Sequence, residues 1–331
     1  MPWRESEAEL ARARAEIPVK VPTPDGDLFG IHTPAAADAP PAGRCVIHLT
    51  RPRAHRNRNW VQAARHLAAR GFTAFRLDYH GTGDSGGASE FLDPCRPYGA
   101  DVVHSMRYLR ERFGERRFIL TGSCFDARSA LAAFADEGES IDGLVFIAAP
   151  VMSLEHMREL RDSNKDWAHV LRALHNPENW SSLGRGERWK QMFDVVQRVA
   201  TRGRRGGPAE PASSGAQPAP AGQPLDPRFV SDFAALVRSR AGALFLYGEA
   251  DVEFRTFQTV LREVWPTLDP EDRERFEVEV WPGEVHGGFL DMQRQQLILR
   301  RVLEWVLARH PDAATRERVR SQPAEGGWTS A

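Results

Sequence analysis

The sequence predicts an α/β fold: a mostly parallel sheet with helices on both faces, carrying a helical cap insertion. Two observations lead there. Short apolar runs rich in β-branched and aromatic residues alternate with helical patterns, at a spacing that leaves one helix between successive strands. That rhythm breaks once, over residues 153–227, and then resumes. A chain of 331 residues fits either two domains or one α/β domain with an insertion, and the resumed alternation favours the second.

The elements follow in order. Residues 44–50 read as a buried strand, and after a polar loop a helix runs from about 60 to 70, with Gly71 placed to end it. Residues 72–77 form the next strand, and 98–113 have helical spacing. A third strand over 117–121 runs straight into Gly122-Ser-Cys-Phe-Asp126 and a helix through Ala135. Residues 143–148, 243–247 and 276–281 supply three more strands, and a last helix covers about 290–309. Right-handed crossovers bring the loops at the strands' C-terminal ends to one edge, where ligands bind in such folds.

The interruption has two parts. Residues 153–202 are helical in pattern, rich in Trp, Arg and His, and read as a helical cap. Residues 203–227 hold five Gly and six Pro among Ala, Ser and Gln, too little apolar surface to offset ordering entropy, and are expected to be disordered. The core is therefore expected over 16–152 and 228–310, with a loose tail at 311–331.

Composition removes several function classes. Forty-four basic residues against 45 acidic give a net charge of −1, so no global field draws the chain to nucleic acid or anionic lipid. No apolar stretch approaches the roughly 20 residues a membrane span needs. The only lysines, Lys20, Lys165 and Lys190, lie outside any motif, which disfavours Schiff-base chemistry. Cys45, Cys95 and Cys124 are too few and scattered for a disulfide framework, and the N-terminus lacks the apolar stretch of a secretory signal, so a cytoplasmic location is expected. His156, His169 and His175 lack metal-ligand spacing, and neither a metal nor another cofactor is expected.

The chemistry concentrates at Gly122-Ser-Cys124. A strand turning sharply into a helix at a nucleophile, with glycine two residues before it, is a nucleophile elbow. Cys124 occupies the central position, at a helix N-terminus whose partial positive charge favours an anion. Ser123 is one residue out of register and is the weaker candidate. Gly248-Glu-Ala-Asp251 follows a strand, the place for an orienting carboxylate, with Glu253 in reserve. His286 follows the last strand, the place for a general base. Nucleophile, acid, base is a chain order distinct from those of the chymotrypsin and subtilisin triads.

With these residues the chain resembles the α/β-hydrolase superfamily over 25–309, as a member with cysteine at the elbow, similar to dienelactone-hydrolase-like enzymes and to thioesterase or acyltransferase relatives. Asp78-Tyr-His-Gly81-Thr-Gly83-Asp-Ser85 resembles that superfamily's D-x-x-G-x-G-x-S loop, a structural turn beside the site. The resemblance implies an acyl hydrolase working through Cys124, His286 and Asp251, acting on a small ester or thioester, with CoA- or carrier-bound donors within its range. Transfer of the acyl group to an alcohol or amine is an alternative, as in natural-product biosynthesis, and a non-catalytic binding protein is another. The chain departs from the family twice. Asp126 stands where a small residue, usually glycine, is expected, and is a candidate substrate contact. The first oxyanion-loop strand end reads Thr50-Arg51-Pro52-Arg53 instead of His-Gly, and Pro52 has no N–H to offer. The oxyanion hole is then expected from the Phe125 N–H with Arg51 or Arg53, through backbone or guanidinium, while Arg56 and Arg58 are candidates to grip a phosphate or carboxylate.

Overall fold

The computed structural model describes residues 11, 15–39, 41–50, 53–54, 56–87, 98–152, 225–282 and 292–309. The chain divides into two compact units, Met1–Ser153 with Pro224–Ala331, and Leu154–Gln223. The second unit lies outside the described residues. So do the expected cap at 153–202, the insert up to 224 and the tail from 311.

The first unit is an eight-stranded sheet. Its strands are β1 (Ile17–Val21), β2 (Leu28–Thr33), β3 (Cys45–Leu49), β4 (Thr73–Asp78), β5 (Phe118–Ser123), β6 (Ile141–Ile147), β7 (Gly242–Gly248) and β8 (Phe276–Trp281). Their spatial order is β1-β2-β4-β3-β5-β6-β7-β8. β2 is antiparallel to both its neighbours, and β4 through β8 join β3 in parallel pairs. The antiparallel pair at one edge adds two strands to the six expected. This is the α/β-hydrolase fold.

Helices cover both faces. They are α1 (Asn59–Ala68), α2 (Gly99–Phe113), α3 (Phe125–Glu137), α4 (Pro227–Val237), α5 (Val252–Val264) and α6 (Met292–Leu307), with single turns between some of them. Because side chains alternate along a strand, β3 sends Val46 to one face and Cys45, Ile47 and Leu49 to the other. Val46, Ile119, Val145 and Leu244 pack against Trp60 and Leu67 of α1 and Val302 and Trp305 of α6. Leu120, Phe146 and Phe245 pack on the opposite face against Val102 of α2, Leu131 of α3, Phe229 of α4 and Phe257 of α5. β3, β5 and β7 are buried at every position, which explains their unbroken apolar runs. Each large side chain fully buried here contributes about 1.5–3 kcal/mol.

The Gly/Pro-rich run does not extend to 227. Leu225 pairs with Met152 in an isolated bridge, and Asp226 caps α4, accepting the N–H groups of Arg228 at 2.8 Å and Phe229 at 3.4 Å. Proline at the first helical position, behind an aspartate cap, satisfies that helix end. Among the described residues no helix is long and apolar enough to cross a membrane.

Candidate active site

β5 ends in a sharp turn into α3. Cys124 has φ 54° and ψ −125°, a strained conformation for a residue with a side chain. It is held there by its N–H, which donates to the Ile147 carbonyl at 2.7 Å, and by its own carbonyl, which accepts from the Ala127 N–H at 3.2 Å. Gly122 is required by close approach: a Cβ there would lie 2.6 Å from both the Ala127 nitrogen and the Asp126 carbonyl carbon. Ser123 is a buried residue of the strand itself. The residue at the strained turn is Cys124, whose side chain is half-buried at the head of α3.

Phe125 is the first residue of α3, so its N–H has no carbonyl within the helix to bond. Asp126 follows it in the first turn and is buried.

The acid side is built by β7. Asp251 lies three residues beyond that strand, fully buried, and caps α5 by accepting the Glu253 N–H at 3.0 Å. Glu253 is also buried, and its Oε2 accepts the Val151 N–H at 3.2 Å. The Tyr247 hydroxyl donates to the Ala149 carbonyl at 3.0 Å; burial first, then the nearby Glu253 and Asp251 charges, push its ionisation well above the ordinary tyrosine range. β6 separates β5 from β7, so the strand ends that carry Cys124 and Asp251 stand two strand spacings apart, roughly 10 Å. An imidazole between them is the expectation from sequence. His286, expected to supply it, lies outside the described residues, beyond the end of β8.

The loop after β3 corrects one expectation. Arg53 donates its backbone N–H to Asp78 Oδ1 at 2.8 Å, and its guanidinium pairs with Asp78 and, at 2.8 Å, with Asp84. Both groups offered for the oxyanion hole are thus committed to carboxylates, and Arg53 is a clamp on the neighbouring loop instead. Arg51 lies outside the described residues, as does the Arg56 side chain. Arg58 is exposed at the head of α1, where it and Asn57 both adopt left-handed backbone conformations.

Asp78 organises the D-x-x-G-x-G-x-S turn. Besides Arg53 it accepts the Asp84 N–H at 3.2 Å, while its carbonyl accepts the Ser85 hydroxyl at 2.6 Å and Ser85 Oγ accepts the Phe29 N–H at 2.7 Å. Gly83, at φ 56°, leaves room for the Asp78 carboxylate, which a Cβ would approach to 2.0 Å. His80 is fixed by Asp101, whose carboxylate accepts its N–H at 2.9 Å and lies 2.8 Å from its Nδ1.

Two features near the site were not anticipated from sequence. His48 on β3 is fully buried, its Nδ1 2.8 Å from Thr121 Oγ1 and its ring stacked on Trp60; burial first, then the Arg76 charge, push its pKa down to about 3. Arg128, one helical turn beyond Cys124, forms a buried ion pair with Asp226. An Asp-Pro pair at a helix start is a readable signal for the second, but it sat inside a run read by composition. Among the described residues no cluster of His, Cys, Asp or Glu is placed to hold a metal ion.

Comparison with known proteins agrees with this fold. Residues 46–197 match the family model for serine aminopeptidase, S33. No curated protein matches the chain. Among solved structures, an esterase from Pyrococcus furiosus aligns at 15% identity with a TM-score of 0.55, covering 92% of this chain and 96% of that one. An α/β serine hydrolase without a lid, from Xanthomonas campestris, aligns at 16% identity with a TM-score of 0.50, covering 90% and 96%.

Proposed function

We infer that this chain, an α/β-hydrolase by its fold and by the family model its core matches, is an acyl hydrolase of the thioesterase or esterase type that works through an acyl-cysteine intermediate on Cys124. The observation that carries this reading is the strained conformation of Cys124 at the head of α3, the place where serine hydrolases of this fold hold their nucleophile.

In the proposed cycle His286 removes the thiol proton as Sγ attacks the substrate carbonyl carbon. The carbonyl oxygen becomes an oxyanion that accepts the Phe125 N–H, with the second donor assigned to Arg51. Collapse expels the alkoxide or thiolate, which takes the proton back from His286. Water then attacks the thioester, giving its proton to the same imidazole, and the acid leaves with Cys124 restored. Asp251 holds the imidazole tautomer; its burial and its place at the end of β7 suit that task. Arg56, Arg58 and Asp126 are assigned to the substrate's polar groups, with CoA- or carrier-bound donors the thioesters that Arg56 and Arg58 suit.

Cysteine at the elbow also favours a second outcome, since a thioester is aminolysed more readily relative to hydrolysis than an oxyester. Steady-state hydrolysis of short-chain p-nitrophenyl esters and acyl thioesters, with and without glycerol or an amine, tests both. The account expects turnover in wild type, and loss of at least about a hundredfold in Cys124→Ala, His286→Gln and Asp251→Asn. Acyl amide or glyceride as the main product would assign transfer. Absence of turnover with every donor would sink the catalytic reading and leave a binding protein.

A further inference from the structure

The strand ends that carry Cys124 and Asp251 are joined by more than the sheet. Between them runs the continuation of β6, residues 148–152, tied on both sides. Cys124 donates to Ile147 at its root, and Ala148, at φ 49°, donates its N–H to the Leu246 carbonyl at 2.8 Å. Farther out, Val151 is held from two directions. Its N–H donates to Glu253 at 3.2 Å, and Glu253's own N–H donates to Asp251 at 3.0 Å. Its carbonyl accepts the Asp226 N–H at 3.0 Å, and the Asp226 carboxylate pairs with Arg128 on α3. One unbroken chain of hydrogen bonds thus links Asp251, Glu253, Val151, Asp226 and Arg128, and returns through a turn of helix to Cys124.

The composition of this chain is not what stability alone asks for. Arg128 and Asp226 are both buried, and a buried ion pair is replaceable by apolar residues at no loss of stability in many proteins. Glu253 adds a second buried carboxylate two residues from Asp251, a repulsive neighbour. What the charges do provide is direction, since each fixes one backbone group at a set distance. The chain also passes through Val151–Met152 and Leu225–Asp226, the two strands of backbone through which the core connects to residues 154–223.

We propose that this strap sets the spacing between Cys124 and Asp251, with Glu253 and Arg128 as positioning residues for acyl transfer. The inference rests on the acyl-cysteine reading. Loosening either anchor lets the two strand ends drift, and misplacement of reacting groups by about 1 Å costs on the order of a hundredfold in rate. Binding, which does not depend on that spacing, is left nearly intact.

The test uses the full chain with Glu253→Ala, Glu253→Gln, Arg128→Met and Arg128→Lys, assayed well below their melting temperatures. Two readouts are taken: kcat and KM with an acyl thioester, and the rate of Cys124 alkylation by iodoacetamide across pH, which needs no turnover. Glu253→Ala and Arg128→Met are expected to lower kcat by about tenfold or more with KM within about twofold, and to displace the alkylation pH profile. Glu253→Gln keeps an acceptor for the Val151 N–H and is expected to recover most of the loss. A wild type that turns over, with all four variants matching it in kcat and profile, would overturn the strap alone. So would losses that only track the folded fraction and that Glu253→Gln fails to rescue. A wild type that neither turns over nor alkylates at Cys124 would overturn the acyl-cysteine reading beneath it.

Discussion

Replacing Cys124 by glycine should leave a more stable protein than replacing it by alanine, the reverse of the usual ranking. At φ 54° and ψ −125° a residue with a Cβ stores on the order of 1–3 kcal/mol of backbone strain. Glycine enters that region freely, at an entropic cost of about 0.5–1 kcal/mol relative to alanine on folding. Both variants lack the thiol, so lost side-chain contacts largely cancel in the comparison. The difference should leave Cys124→Gly ahead by about 1 kcal/mol, and both proteins inactive. Urea unfolding followed by tryptophan fluorescence reads this as a higher midpoint at equal slope. An alanine variant as stable as the glycine variant, or more so, would refute the strained elbow, and with it the reason for placing the nucleophile at Cys124.

Three further outcomes rest on other residues. Gly83→Ala sets a Cβ at a left-handed position 2.0 Å from the Asp78 carboxylate, so a loss of at least about 2 kcal/mol of stability in urea unfolding is expected, against little change beyond its own backbone cost for Gly114→Ala at the end of α2. Burial alone would raise the Asp226 carboxyl, but Arg128 and the N–H groups of Arg228 and Phe229 hold it below its ordinary value. Its contribution is then present above about pH 4 and lost as pH falls further, so the stability gap between wild type and Asp226→Asn should shrink from pH 5 to pH 3. A gap that stays constant would show that the charge contributes nothing. His48, neutral in the fold down to about pH 3, contributes stability above its unfolded value near pH 6.5 that is lost as pH falls, because the unfolded chain then binds the extra proton. Between pH 7 and 4.5 wild type should lose up to about 3 kcal/mol more than His48→Gln, and parallel pH curves would contradict the buried neutral imidazole.

The central parallel strands were legible in the sequence because they are covered on both faces. Residues 45–49, 118–123 and 242–248 are buried throughout, so apolar runs mark them without any need for periodicity. The edge pair was not. β1 buries only Val19 and Val21 and carries Pro18, and β2 is diluted by Gly30 and His32. The elbow was legible for a local reason: the strand, the glycine and the helix start lie within a few residues of one another. Arg53 was misassigned for the opposite reason, since its partner Asp78 is 25 residues away and becomes a neighbour only when β3 and β4 pair. Composition hid Asp226 in the same way, because the helix it caps follows a run dominated by Gly and Pro.

The central claim is a covalent bond to one sulfur, and intact-protein mass reads that bond directly. Wild type and Cys124→Ala would be mixed with a short-chain acyl thioester and quenched in acid within seconds. The account predicts a gain equal to one acyl group in wild type, located by digestion to the peptide holding Cys124, and none in the alanine variant. An adduct of the same size in both proteins, or one mapped to Ser123, would contradict it.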